Sequence, residues 1–251
     1  MEIFNFLLIS LGIQIVLGGI AIIRKTDVLT DISYGLTFLL LISIAFWSML
    51  FNPVKLTLYV LIAMWAVRIA SYLFVRILKT KKDKRFDGIR ENPVKFMSFW
   101  LLQGVTVWVV LLPALLVMNL DFSLSFNFIS VFGFIFAFVG LVIEAIADIQ
   151  KFRFKSLKEN EGMWVDTGLW RYSRHPNYLG EIMFWIGVFI FVVPFINGIS
   201  ILSIISPIFI YYLLTKVSGI PTLERKYEER FGDNKDYLHY KKRTGRLLFK
   251  L

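Results

Sequence analysis

The sequence predicts an all-α integral membrane protein: a bundle of about seven transmembrane helices with a cytoplasmic cap. Of its 251 residues, 57% are hydrophobic and 17% are aromatic, and the mean hydropathy is +0.67. Seven apolar runs have the roughly 17 to 25 residues that a helix needs to cross a hydrocarbon core. These runs lie at residues 3–23, 32–51, 56–78, 96–118, 128–150, 178–196 and 199–217. The last two are separated only by the Asn197-Gly198 turn signal, which predicts a tight helical hairpin.

The distribution of basic residues predicts the orientation, because Lys and Arg accumulate in short cytoplasmic loops. The fourth connection, residues 119–127, has no basic residue, whereas the third and fifth are rich in them. Those basic residues are Lys79, Lys81, Lys82, Lys84, Arg85 and Arg90 in the third connection and Lys151, Arg153, Lys155 and Lys158 in the fifth. We therefore expect a multi-pass protein of the cell inner (cytoplasmic) membrane, with its N-terminus outside and its C-terminus cytoplasmic.

The chain has no internal repeat and no low-complexity tract, which predicts a single domain over residues 1–251 with a cytoplasmic tail at 218–251. Met1-Glu2 provides no positive n-region and the first apolar run is long, so a cleavable signal peptide is not expected.

The net charge of +10 has three interpretations. Nucleic-acid binding is the weakest, because the cations lie beside membrane spans. Anionic headgroups and a phosphate-bearing cofactor both remain. The chain has no cysteine and only two histidines, which argues against a disulfide or a metal centre.

The first candidates along the chain lie at the second and third spans. Asp31 and Tyr34 begin the second span, where Asp31 is best explained as a helix N-cap, with a substrate contact as the alternative. Arg68 and Tyr72 are spaced i, i+4 on the third span, and Arg76 lies two turns beyond Arg68. Arg68 is either a counter-ion to a buried carboxylate or a ligand contact, and Arg76 is expected to extend to the membrane surface. Tyr72 either packs in the bundle or offers its hydroxyl to a substrate carbonyl.

Glu144 and Asp148 are spaced i, i+4 on the fifth span, which puts both carboxylates on one helix face. They form either a polar seam with the basic loop or a set of acceptors for ribose hydroxyls or an amide. Lys155 stays close to the same face and could meet a phosphate.

Residues 164–185, WVDTGLWRYSRHPNYLGEIMFW, bring a polar cluster to the start of the sixth span. Pro176 should begin that helix, whose N-terminus then favours an anion. Polar groups at membrane depth need partners or a ligand, so we predict an anion-binding site here. Its candidate residues are Arg171, Arg174, His175, Asn177, Tyr178 and Glu181. Trp164 and Trp170 are interpreted as interfacial anchors.

The tail alternates charged and aromatic residues. Residues 221–231 should form a short amphipathic helix that stops at Gly232. Beyond it, Tyr237, Tyr240, Lys242 and Arg243 either lie on lipid headgroups or fold over a nucleotide.

Four blocks carry a family resemblance that runs over nearly the whole chain: WAVRIASYLFVRI, the run from Glu144 to Phe152, RYSRHPNYLGE and VSGIPTLERKYEERFGDNKDYLHYKKRT. In this order they resemble the steroid 5-alpha-reductase-like and sterol reductase superfamily, and in particular its bacterial DUF1295-type membrane proteins. The resemblance implies a seven-helix reductase that binds NADPH from the cytoplasmic side without a Rossmann domain. The chain agrees in having no G-x-G-x-x-G fingerprint.

By motif matching, Asn177 and Glu181 correspond to family positions near the nicotinamide and the substrate. Asp148 and Lys155 correspond to cofactor contacts, and Tyr240, Lys242 and Arg243 to the cofactor-covering tail. Arg174 and His175 follow the sterol-reductase branch, because the steroid reductases lack this Arg-His-Pro.

The expected reaction is hydride transfer from NADPH to a carbon–carbon double bond of a hydrophobic, steroid-, sterol- or isoprenoid-like lipid. Tyr72 and Glu181 are the candidate donors to the developing enolate oxygen. Methyl transfer from S-adenosylmethionine to a lipid or a prenylated cysteine is the main alternative, because such methyltransferases share the RHPxYxG block and a pair like Glu228-Glu229. A non-catalytic lipid or quinone binder is the third class.

Overall fold

The computed structural model describes residues 2–48, 51–80, 86–121 and 123–250. The predicted basic residues Lys81, Lys82, Lys84 and Arg85 lie outside these ranges. The all-α prediction is confirmed, since the described residues contain no strand beyond an isolated bridge between Ser173 and Gly245. The α-helices are α1 Ile3–Ile23, α2 Val28–Trp47, α3 Pro53–Thr80, α4 Pro93–Met118, α5 Phe128–Ser156, α6 Pro176–Val192, α7 Ile205–Tyr212, α8 Ile220–Phe231 and α9 Lys235–Arg243.

Seven stretches of the described chain are long and apolar enough to cross a membrane, and each overlaps one of the predicted runs. The chain is therefore a multi-pass membrane protein. The last stretch is not one continuous α-helix: a 3-10 segment at Gly198–Ile204 leads into α7, and a π-helical turn at Leu213–Val217 follows it. Gly198, the first residue of that 3-10 segment, has φ of +53°, a backbone conformation that favours glycine.

The start of the second span was predicted wrongly. Helix α2 begins at Val28 instead of residue 32, and its N-cap position is Asp27. Asp31 therefore lies within the first turn, where its carboxylate accepts a hydrogen bond from Arg76 Nη2 at 2.5 Å. Asp27 is also paired, with Arg90 Nη1 at 2.8 Å. Both carboxylates serve tertiary ion pairs at the start of α2.

The chain forms two compact units, residues 1–130 with 192–206 and residues 131–191 with 207–251. In the first unit, a buried amide network joins α1, α2 and α4. Gln103 Nε2 donates to Gln14 Oε1 at 3.0 Å and to Ser33 Oγ at 3.0 Å, and Gln14 Nε2 donates to Thr37 Oγ1 at 2.9 Å. Such bonds hold helices together where no water competes.

Lys55 is a buried cation of the first unit, only 2% exposed. Its Nζ donates to the carbonyl of Met118 at 3.1 Å and to that of Leu120 at 2.5 Å. The ammonium thus satisfies carbonyl groups at the C-terminal end of α4, where a cation is favoured by the helix dipole.

In the second unit, α5 and α6 approach so closely that their backbones touch at glycines. A Cβ added to Gly187 would lie 2.3 Å from the backbone nitrogen of Ala137, and one added to Gly180 would lie 2.5 Å from that of Glu144. Gly180 therefore admits the backbone of a neighbouring helix.

This close approach predicts that Gly187→Ala destabilises the protein by about 1–3 kcal/mol, because the new methyl group overlaps backbone that cannot move alone. Gly12→Ala is the matched control, since nothing lies within 4 Å of a Cβ at that position of α1. The control should be neutral or gain about 0.5–1 kcal/mol from helix propensity. Unfolding of both variants in detergent measures the difference, and equal stability would contradict the proposed packing.

Candidate functional site

The segment that precedes α6 is fixed to α5 by two side chains. Trp170 Nε1 donates to the carbonyl of Ala147 at 3.0 Å, and Gln150 Oε1 accepts from the backbone nitrogen of Leu169 at 2.9 Å. Pro176 is the first residue of α6, as predicted. Trp170 is 3% exposed, so its predicted role as an interfacial anchor is wrong: its ring is buried beneath Lys151, whose Nζ lies 4.8 Å from the ring centroid.

Arg174 and Glu224 form the central ion pair of the second unit. Arg174 Nε lies 3.0 Å from Glu224 Oε1, and Nη2 lies 3.1 Å from Oε2. Arg174 Nη1 donates to the carbonyls of Lys241 at 2.9 Å and Thr244 at 3.1 Å. The guanidinium therefore clamps the start of α6 to α8 and to the residues around the end of α9. A planar, five-donor group suits this role better than an ammonium would.

His175 is held by the same carboxylate. The ring is 1% exposed, and its Nε2 lies 2.9 Å from Glu224 Oε1. Burial lowers the pKa of His175 below its usual 6.5, although the Glu224 carboxylate acts in the opposite direction. In neutral His175 the proton resides on Nε2, because the carboxylate can only accept. Nδ1 is then an acceptor, and it is buried without a partner among the described residues.

Asn177 of α6 and Asp148 of α5, both predicted site residues, lie next to each other in the structure. Asn177 Nδ2 donates to Asp148 Oδ1 at 3.3 Å, and Asn177 Oδ1 is a second buried acceptor that has no partner in the described part of the chain. Glu144 and Asp148 are 2% and 3% exposed, so their common helix face is buried. The site thus gathers acceptors: two carboxylates, an amide oxygen and an imidazole nitrogen.

Tyr178 and Glu181 extend this surface along α6. The Tyr178 ring stacks on His175 with centroids 5.8 Å apart and planes 13° apart. Glu181 is half-buried, one turn beyond Asn177 on the same helix face. Both residues remain accessible enough to contact a ligand.

The aromatic residues of the tail lie inside the protein. Tyr237 and Tyr240 are buried, and the Trp164 ring contacts Tyr237 with centroids 5.3 Å apart. The Tyr240 hydroxyl donates to the carbonyl of Trp170 at 2.8 Å. Burial raises the pKa of Tyr237 to about 12 and raises that of Tyr240 further, so both remain protonated. The Tyr240 hydrogen bond thus provides a further connection between α9 and the segment that precedes α6.

The predicted phosphate-binding cations lie on the surface of the second unit. Arg171, Lys155, Lys242 and Arg243 are all exposed, and Lys155 Nζ donates to the carbonyl of Met163. Arg174 differs from them, since its guanidinium donors are engaged within the protein.

The remaining candidates lie on α2 and α3 of the first unit, which pack against each other. Tyr34 contacts Phe38 and Trp65 edge-on, with centroids 5.0 Å and 6.4 Å apart. Tyr34, Arg68 and Tyr72 are half-buried, and Asp31 is paired with Arg76, which keeps 31% of its side chain exposed.

Glu224 is the main site residue that sequence analysis missed. Its signal was a carboxylate on the apolar face of an amphipathic helix, because Ile220, Glu224, Tyr227 and Phe231 recur at i, i+4, i+7 and i+11. An acid in such a position needs a buried partner.

The sequence profile described as "Protein of unknown function (DUF1295)" matches residues 19–244. The chain belongs to this family. No curated protein and no solved structure gives a significant match. The DUF1295 match agrees with the resemblance seen in the four sequence blocks. Among the described residues, no group of three or more His, Asp and Glu side chains could hold a metal ion.

We predict that Arg174→Met destabilises the protein by about 3–5 kcal/mol without any ligand present, because it leaves the largely buried Glu224 carboxylate without its cationic partner and with only the hydrogen bond to His175. Arg225→Met is the control, since Arg225 is 73% exposed and lies 3.9 Å from Glu229. It should change stability by less than about 0.5 kcal/mol. Unfolding in detergent measures both, and an unchanged Arg174→Met would show that the clamp contributes nothing.

The lowered pKa of His175 predicts that stability depends on pH. In the unfolded chain His175 becomes protonated below about pH 6.5, whereas in the folded protein it becomes protonated only at a lower pH, because it is buried. The His175 contribution should be fully present above that pH and be lost as the pH falls toward the folded pKa, by at most about 1.4 kcal/mol per pH unit.

Unfolding midpoints between about pH 7.5 and about pH 5.5 measure this effect. His175→Gln should flatten the profile, and His239→Gln, at the only other histidine and exposed, should leave it unchanged. If His239→Gln flattened the pH dependence of stability and His175→Gln did not, the effect could not be assigned to His175.

Proposed function

We propose that the protein is a membrane-embedded, NADPH-dependent reductase of a carbon–carbon double bond in a hydrophobic, steroid-, sterol- or isoprenoid-like lipid. The observation that carries the proposal is the pair of buried acceptors, His175 Nδ1 and Asn177 Oδ1, beside Asp148 at the N-terminal end of a membrane span. Buried polar groups without partners are costly, so their persistence supports a ligand that supplies hydrogen-bond donors.

The chemistry of the cluster fits a nucleotide. Acceptors need hydroxyl or amide donors, which ribose and the nicotinamide carboxamide carry and hydrocarbon lacks. The N-terminus of α6 and the exposed Arg171, Lys155, Lys242 and Arg243 add the positive potential that phosphates require. His175, Asn177, Tyr178, Glu144 and Asp148 would hold the sugar and amide groups.

The fixed position of the cluster supports catalysis as well as binding. Arg174 and Glu224 hold His175, and the α5–α6 glycine contacts hold Asn177 near Asp148. A site whose groups are fixed before binding reduces the entropy that alignment costs. Bound NADPH would supply the hydride. Glu181, when protonated, and Tyr72 are the proposed donors to the substrate oxygen that becomes an enolate. Arg68, Tyr34 and Asp31 are the proposed substrate contacts.

A methyltransferase that uses S-adenosylmethionine is the second candidate. The buried carboxylates of Glu144 and Asp148 favour it, because they would also stabilise a cationic methyl donor. The number of exposed cations favours the diphosphate of NADPH instead, since a zwitterionic ligand needs fewer of them.

Separate titrations of the detergent-solubilised protein with NADPH and S-adenosylmethionine distinguish these functions. Intrinsic fluorescence is a suitable signal, because the chain has seven tryptophans and two of them, Trp164 and Trp170, line the same small cavity as His175. Saturable quenching by NADPH alone is expected. Binding of the methyl donor without binding of NADPH would reverse the choice.

We predict that Asn177→Ala weakens NADPH binding about ten- to a hundredfold and abolishes turnover, because it removes hydrogen bonds made in a buried site. Asn197→Ala, at an exposed position beyond the other end of α6, is the control and should bind normally. Glu181→Ala should insert and bind NADPH but fail to oxidise it with an enone-bearing lipid. Normal turnover in both site variants would remove these residues from the site.

A further inference from the structure

Residues 245–250 form a loop that closes on one carbonyl group. The oxygen of Tyr172 accepts hydrogen bonds from the backbone nitrogens of Gly245 at 3.2 Å and Lys250 at 2.9 Å. Ser173 Oγ donates to the carbonyl of Leu247 at 2.7 Å. The loop is tight, because a Cβ at Gly245 would lie 2.0 Å from the carbonyl oxygen of Leu248. Residues 246–249, the loop tip, are therefore held next to Tyr172.

The level of Tyr172 relative to the membrane follows from α6. Tyr172 precedes Pro176, the first residue of a membrane span, by four residues. That length of chain reaches at most about 14 Å. The interfacial layer on each side of the hydrocarbon core is roughly 5–8 Å thick. Tyr172, on whose carbonyl the loop closes, therefore lies close enough to the start of the span for the loop side chains to reach this layer.

The side chains of the loop tip suit such a position. Leu248 is 70% exposed and Phe249 is 39% exposed, next to Tyr172 at 40%. Arg246 and Lys250 flank the apolar pair and are exposed. Apolar residues beside cations are typical of segments that insert shallowly into an anionic leaflet. None of these four loop residues is assigned to the nucleotide.

We propose that residues 246–250 form an interfacial anchor that docks onto the anionic membrane surface. Leu248 and Phe249 enter the headgroup boundary, and Arg246 and Lys250 meet the anionic headgroups. The anchor is connected to the site, because the carbonyl of Gly245 accepts a hydrogen bond from the Arg174 backbone nitrogen at 2.8 Å. Docking therefore stabilises the start of the Arg174–Glu224–His175 clamp.

The absence of native cysteine permits a direct test. A nitroxide is attached to Leu248→Cys in the full chain, in nanodiscs of phosphatidylcholine with or without phosphatidylglycerol. Collision with oxygen reports immersion in lipid, and collision with a water-soluble nickel chelate reports exposure to water. Lys235→Cys is the control, at an exposed position outside the loop.

In anionic discs the label at residue 248 should collide more with oxygen than with nickel, and the control label should show the reverse. Arg246→Gln and Lys250→Gln should each reduce partitioning about fivefold, the contribution expected of one cation near the surface. Nickel collision at residue 248 equal to the control would overturn the anchor. Equal immersion in both lipid compositions would contradict the proposal that the loop binds anionic headgroups.

Hydrogen exchange in the unlabelled protein provides a second measurement that the label cannot perturb. The amides of Gly245 and Lys250, both bound to the Tyr172 carbonyl, should exchange more slowly in anionic discs than in phosphatidylcholine discs. Leu248→Ser with Phe249→Ser should remove this difference. Exchange that is independent of lipid composition in the unaltered protein would contradict docking. None of these measurements requires NADPH, so they are independent of the proposed reaction.

Discussion

The second unit depends on one ion pair, that of Arg174 with Glu224. The carboxylate is shared, since its Oε1 also lies 2.9 Å from His175 Nε2. The guanidinium is shared too, since Nη1 bonds two carbonyls near the end of α9. Three segments of chain, the start of α6, α8 and the end of α9, therefore meet at one pair of side chains. Because both charges are largely removed from water, neither can be left alone at low cost, and the segments hold one another in place.

The clamp has a chemical consequence at the ring that it holds. By accepting from His175 Nε2, Glu224 determines which nitrogen carries the proton and leaves Nδ1 as an acceptor. Asn177 is oriented similarly, because donating to Asp148 leaves its Oδ1 without a partner. Protein contacts thus satisfy one side of each residue and leave an acceptor on the other. A ligand rich in hydroxyl and amide donors would complete both.

Much of the fold could be predicted from the sequence because membrane spans and helix starts are local properties. Long apolar runs identified the seven spans, and Pro176 identified the start of α6. The i, i+4 spacing of Glu144 and Asp148 correctly placed them on one buried face. Asp31 was misplaced because Asp27 and Asp31 are both plausible N-caps. Only the ion pairs with Arg90 and Arg76, far along the chain, show what each carboxylate does.

The interior of the site was less predictable, because its contacts join residues distant in sequence. Arg174 and Glu224 are 50 residues apart, and Arg174 and Thr244 are 70 apart. By charge and by their place before α6, Arg174 and Arg171 were equal candidates for an anion site, yet Arg174 is paired with Glu224 inside the protein and Arg171 is exposed. Tyr240 and Trp170 likewise are residue types common at membrane surfaces, but the Tyr240 hydroxyl donates to the Trp170 carbonyl and the Trp170 indole donates to the carbonyl of Ala147, both inside the protein. Charge and aromaticity indicate that a residue needs a partner, and only the fold selects which one.

The close packing of α5 and α6 fixes the positions of the polar groups in the proposed site. Gly180 lies between Asn177 and Glu181 on α6 and contacts the α5 backbone at Glu144, one turn before Asp148. Any side chain at Gly180 would push the helices apart and separate Asn177 from Asp148, whose hydrogen bond already measures 3.3 Å. The register between the two helices, set by backbone contact, is therefore also the register of the polar groups. In a soluble nucleotide-binding fold a glycine-rich loop brings the backbone to the ligand. Here glycine brings one membrane helix close to another, and the polar groups of the proposed site, Asn177 and Asp148, are positioned by that contact.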